Sequence, residues 1–192
     1  MGKIGSYSKS DVTFLLKDIG SLIEEKDNSY RENAIQSGVH YSEMLPIEYK
    51  PTEDYMRLFE KSLDLYEMKL SKAVGIVSKR IVERKGTDIV LVSLARAGTP
   101  IGILIKRYIK LHFGCDVPHY SISIIRGKGI DENAVNYILE NHPQKTIQFI
   151  DGWTGKGAIT KVLMKAAEKY KKDKDIDLPV DMAVLADPGH CV

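Results

Sequence analysis

Beyond residue 86 the apolar and polar positions fall into a repeating pattern. Asp88-Ile-Val-Leu-Val-Ser-Leu94 is a near-continuous apolar run, the character of a central parallel strand buried on both faces. Ala95-Arg-Ala-Gly-Thr-Pro100 reads as a tight turn, Ile101 to Phe113 as a helix, and Gly114 as its stop. His119 to Ile125 is a second strand, Arg126 to Asp131 a glycine-rich loop, and Glu132 to Asn141 a short helix. Ile147 to Ile150 is again apolar, Gly152 to Gly157 a turn, and Ile159, Val162, Leu163, Ala166 and Ala167 share one helical face. Asp181 to Ala186 is a last strand, with Asp187-Pro-Gly-His-Cys-Val192 its exit loop. Strands alternating with helices predict a doubly wound parallel sheet, with ligands at the carboxyl ends of its strands.

The first 86 residues are less regular. Val12 to Leu16 predicts a short strand or extended arm, and Ser21 to Gln36 a helix opened by a Ser cap. Ser37 to Pro46 reads as a loop in which His40, Ser42 and Glu43 either face a ligand or bond within the loop. Thr52 caps a long helical pattern, which Ser71 divides into two predicted helices ending near Gly86. The expected organisation is an N-terminal extension with helices packed on the core over 1–86, and the core over 87–192. Because the chain stops after a strand-end loop, that core is expected to be truncated at its C-terminus.

Composition narrows the class. A formal net charge of +2 from 28 basic and 26 acidic residues carries no strong nucleic-acid signal. No run approaches the roughly 18 apolar residues of a membrane span, and no apolar signal core opens the chain, so a cytoplasmic protein is expected. Two cysteines, Cys115 and Cys191, make neither a disulfide framework nor a zinc spacing. No metal-ligating residues are assigned.

Thr146 to Lys161 carries the candidate chemistry. An apolar strand ends at Asp151, three glycines follow by residue 157, and a helix begins at Ala158. Turn amides and the helix N-terminus converge there on an anion site, with Thr154 adding a hydroxyl and Lys156 a charge. The spacing fits neither a P-loop nor a dinucleotide fingerprint. An ordinary βα turn without a ligand is the plain alternative. An acid at a strand end before a Thr-Gly loop resembles the type I phosphoribosyltransferases.

That resemblance implies a fold and a set of sites. The fold is α/β, a parallel-sheet type I phosphoribosyltransferase-like (Rossmann-like three-layer) core with an N-terminal helical extension. Arg96, with Ala97, Gly98 and Thr99, would hold diphosphate; Arg126 and Lys128 would lie on a mobile catalytic loop; Asp151 would anchor ribose. Thr154, Gly155, Lys156, Gly157 and Ala158 would bind the 5-phosphate of phosphoribosyl pyrophosphate or a nucleotide, with Mg²⁺ held through the diphosphate. One departure stands out: Gly152 replaces the second acid of the usual pair.

Four stretches extend the resemblance across the chain: Gly5-Ser-Tyr with Asp11-Val-Thr-Phe-Leu-Leu-Lys17, Ser37 to Pro46, Ser93 to Pro100 and Phe149 to Gly157. Together they resemble the StiP-type family of stress-induced bacterial proteins, associated with tellurite-resistance gene neighbourhoods. Its members are described as phosphoribosyltransferase-like, some are also labelled cysteine proteases, and they are usually longer than this chain. The expected function is accordingly Mg²⁺-dependent transfer of phosphoribose to an acceptor near Asp187 to Cys191, in a stress pathway. A homodimer and a further domain or gene partner have room in this picture. The alternatives are a non-catalytic nucleotide-sensing module and, ranked last, a cysteine peptidase using Cys191 with a histidine. Against the peptidase, His190 is adjacent to Cys191 and no orienting Asn or Asp is assigned.

Overall fold

A computed structural model describes residues 5–192. They form two compact units, one of Lys17–Glu67 and one of the described residues through Leu16 together with Met68–Val192.

The larger unit holds a five-stranded sheet, all parallel, in the order β1-β5-β4-β8-β9. Its strands are β1 Thr13–Phe14, β4 Ile89–Leu94, β5 His119–Ile122, β8 Thr146–Ile150 and β9 Met182–Ala183. Every residue of β4 is buried, as its unbroken apolar run requires of a central strand. Helix α3, Gly98–Phe113, and the C-terminal part of α2, Glu53–Lys85, cover one face through Val74, Ile81, Ile105 and Ile109. Helices α4, Glu132–Asn141, and α5, Ala158–Lys174, cover the other through Val135, Ile138, Leu163 and Tyr170. This is an α/β fold with a parallel central sheet between helical layers.

The arm at residues 11–14 is tied down at three points. β1 pairs with β5. Arg107 donates from Nε and a terminal nitrogen to the two Asp11 oxygens, at 2.8 and 2.6 Å. His119 Nδ1 donates to the Asp11 carbonyl at 2.8 Å, since a carbonyl can only accept.

The expected strand 181–186 is shorter, Met182–Ala183, and three predicted elements differ in kind from those observed. The expected strand 119–125 divides: β5 ends at Ile122, and β6, Ile124–Ile125, turns back onto β7, Gly129–Ile130, as an antiparallel hairpin. Gly127 and Gly129 take positive φ in its turn, Lys128 N–H donates to Ile125 O, and Asp131 caps α4. The sequence there closes a hairpin because two glycines and a capping Asp satisfy its backbone locally. The division of α2 at Ser71 does not occur. The Ser71 hydroxyl donates to Met68 O, within the helix, so 33 residues run unbroken from Thr52, whose Oγ1 accepts from Tyr55 N–H. The third difference lies in the smaller unit. There α1 is Asn28–Gln36, opened by the Asp27 carboxylate and not by Ser21. Residues just before it form β2, Glu25–Lys26, which pairs with β3, Leu45–Pro46.

Candidate functional site

β4 lies at the middle of the sheet, with β5 on one side and β8 on the other, so the loops after β4 and β8 meet at the point where the winding reverses. They meet closely. A Cβ on Gly98 would stand 2.4 Å from Ile150 O, and one on Gly152 would stand 2.8 Å from the Ala97 Cβ. Only glycine allows these two backbones to touch.

The exit of β9 runs alongside the second loop. Asp151 N–H donates to Ala183 O, Leu185 N–H to Gly152 O, and Thr154 N–H to Ala186 O, each at 3.0–3.1 Å. This ladder carries residues 187–192 past the glycine-rich turn. Asp187 then folds the tail over: its carboxylate accepts from Cys191 N–H at 2.8 and 2.9 Å and from Val192 N–H at 3.0 Å. These amide bonds hold the Asp187 carboxyl below its ordinary range. Gly189 packs where a Cβ would lie 2.0 Å from Gly155 O. The half-buried Cys191 Sγ comes to rest 3.8 Å from that same oxygen, and 3.3 Å from where a Gly157 Cβ would be. Gly157 has φ +66° and no side chain caps α5, so amides of its first turn are left without a capping partner beside the sulfur.

The sequence-predicted residues distribute as follows. Asp151, Thr154, Gly155, Lys156, Gly157 and Ala158 lie together along the turn, joined by Cys191. Gly98 touches the turn, whereas the Thr99 hydroxyl is occupied at 2.8 Å by Ser121 Oγ on β5. Arg96 and Ala97 are exposed at the head of α3, and Arg126 and Lys128 are exposed on the β6–β7 hairpin. His40 caps the short 3₁₀ turn Tyr41–Glu43 and shares a 2.7 Å hydrogen bond with Ser42. Asp151 does not cap α5. Its Oδ1 accepts from its neighbour Gly152 N–H at 2.7 Å, and burial raises its carboxyl above the usual range.

That raised value yields a prediction. The folded state prefers the protonated acid, so an ionised Asp151 costs stability once the pH rises above the ordinary carboxylate value of 3.8. Asp151→Asn keeps the acceptor for Gly152 and removes the charge. Its melting temperature at pH 7 is expected to equal or exceed that of the parent, with the gap closing toward pH 4. A clearly lower melting temperature at pH 7 would mean that the charge itself is needed.

Residues 5–192 match the family model described as tellurite-like stress resistance cysteine protease StiP. The chain belongs to the StiP family. A curated relative from Acinetobacter baylyi, named cysteine protease StiP, is 40% identical over 191 residues, covering 99% of this chain and 49% of the relative. The chain thus spans about half the length of that relative. A crystal structure of a hypothetical protein from Neisseria gonorrhoeae with bound ppGpp superposes with a TM-score of 0.35 at 10% identity, over 60% of this chain and 64% of that one. A likeness that distant decides nothing here.

The StiP assignment corrects the functional expectation. Transfer of phosphoribose from phosphoribosyl pyrophosphate, a glycosyltransferase reaction, is overturned, and the nucleotide-sensing alternative with it, because the family and the A. baylyi relative are both named as cysteine proteases. The reading ranked last is the one these names favour. What the sequence reading underweighted in this StiP chain is the Asp187-Pro-Gly-His-Cys191 tail. Its signal was present: an acid four residues ahead of a cysteine at a strand exit, with a glycine between for close approach.

Proposed function

We propose that this chain carries the nucleophile of a cysteine peptidase that acts in bacterial stress resistance, and that Cys191 is that nucleophile. One observation carries the reading. Of two free cysteines, Cys191 is the one held at the carboxyl edge of the sheet, pinned by Asp187 beside the uncapped start of α5. Cys115 packs instead against the core beneath α3.

In this mechanism Sγ turns from Gly155 O and attacks the scissile carbonyl carbon. The carbonyl π pair moves to oxygen, then returns as the C–N bond breaks; the amine leaves with a proton, and water hydrolyses the thioester. The Cys191 N–H is engaged by Asp187, so it does not serve the oxyanion. First-turn amides of α5 are the available donors, and the helix dipole favours negative charge there. His190 is proposed as the base. Of the five histidines, His40, His112, His119 and His142 have their rings in hydrogen bonds or ring contacts, and the His190 ring has neither among the described residues.

Alkylation tests the assignment of the thiol. Iodoacetamide is expected to abolish peptidase activity in step with modification of Cys191, located by peptide mass mapping. Inactivation that tracks Cys115, or full activity with Cys191 fully alkylated, would refute it.

A further inference from the structure

β9 is the last strand of the sheet, and nothing among the described residues pairs with its outer edge. Ala183 and Leu185 bond toward β8 and its loop, so by strand alternation the amides and carbonyls of Met182 and Val184 face outward. A cavity of about 470 Å³ opens along this edge. Val77, Arg80 and Arg84 of α2 form one wall, Thr160 and Met164 of α5 the other, and Cys191 stands in the lining. Two features of the walls are unsatisfied. The Thr160 hydroxyl is buried without a hydrogen-bond partner. Arg80 and Arg84 have no carboxylate partner among the described residues, whereas Asp181 is paired with Lys85 and Asp187 is taken up by amides.

We propose that the β9 edge is the substrate groove: an extended peptide adds to the sheet as a sixth strand, its backbone on Met182 and Val184, its apolar side chains on the α5 side against Met164. An acidic side chain of that peptide lies at Arg80 and Arg84. The inference rests on the peptidase reading of Cys191, and it names the substrate class as extended segments that alternate apolar and acidic residues. An open edge supplies main-chain hydrogen bonds to any sequence, while the walls select side chains. The groove also leads to the sulfur, so a strand bound there is presented to the nucleophile in the extended form that attack on a backbone carbonyl needs.

The test compares two chloromethyl ketones, acetyl-Val-Glu-Val-Ala and acetyl-Ala, whose chloride Sγ displaces. The longer probe is expected to alkylate Cys191 about tenfold faster or more, the effect of one or two net hydrogen bonds. Val184→Pro removes an outward N–H but no ladder bond, a change that edge strands tolerate. It is expected to erase the advantage while leaving iodoacetamide alkylation unchanged. Should that variant fail to fold, Arg80→Gln with Arg84→Gln carries the test by erasing the preference for the Glu probe over its Gln counterpart. Equal rates for the two probes in the parent, or an advantage that survives both variants, would overturn the groove. If Cys191 reacts with neither probe, the nucleophile reading fails by itself. The groove is then read by hydrogen exchange with the inert acetyl-Val-Glu-Val-Ala amide: slowed exchange at Met182 and Val184 supports it, and unchanged exchange overturns it. Protection of those amides without peptide, growing with protein concentration, would assign the edge to a second copy of the chain and overturn the proposal.

Discussion

Cys191→Ala is expected to lower peptide hydrolysis by about 10³-fold or more while the protein stays folded, because it deletes the only atom proposed to form a bond with substrate. The fold has little to lose. The staple that shapes the tail uses the backbone N–H of residue 191, which alanine keeps, and the removed sulfur makes only a long contact with Gly155 O. A change under roughly 1 kcal/mol moves the melting temperature of a domain this size by about 2–4 °C. Cys115→Ala is the control and should keep its activity, since Cys115 packs against the core cluster under α3. Hydrolysis undiminished in Cys191→Ala, measured on the purified protein with its unfolding curve recorded in parallel, would remove the peptidase reading.

Acid is expected to cost the fold roughly 3 kcal/mol by pH 4 through one side chain, His119. Its ring is nearly fully buried between β4 and the N-terminal arm, and burial lowers its pKa from 6.5 to about 4. Nδ1 donates to Asp11 O, a bond that would favour the imidazolium, but desolvation outweighs it, and the nearby Lys106 charge opposes protonation further. Nε2 lies 2.7 Å from the Ser93 oxygen, whose hydroxyl donates to Gly98 O at 2.8 Å. Between pH 6.5 and about 4 the unfolded chain takes up a proton that the folded chain refuses. Stability is therefore fully present above pH 6.5 and falls as the pH drops through that window. Asp11, held below its ordinary value chiefly by the Arg107 hydrogen bonds, loses its contribution only at still lower pH, below 3.8. Urea unfolding at pH 7 and pH 4.5 reads the effect, and His119→Gln should flatten the difference. An unchanged midpoint across that interval in the parent would contradict a buried neutral imidazole.

The alternation of apolar runs with helical spacing was enough to place β4, β8, α4 and α5 to within a residue or two, because a strand buried on both faces must be apolar throughout. Capping was equally local: Thr52 and Gly114 act where a side chain, or the lack of one, leads one to expect. The glycine-rich turn after Asp151 and the helix start at Ala158 were also legible. What they serve was not, because a backbone anion site is built the same way for a phosphate or an oxyanion. The hairpin at residues 124–130 escaped because two-residue pairings carry no periodicity to count, and α2 because Ser71 can spend its hydroxyl on the helix that it was expected to interrupt. Only tertiary structure could bring Cys191 to Gly155, 36 positions away in the chain. The parallel ladder from Asp151 to Ala186 and the bonds from Asp187 to the tail amides decide that meeting, and hydrogen bonds between distant backbones leave no mark on the order of side chains.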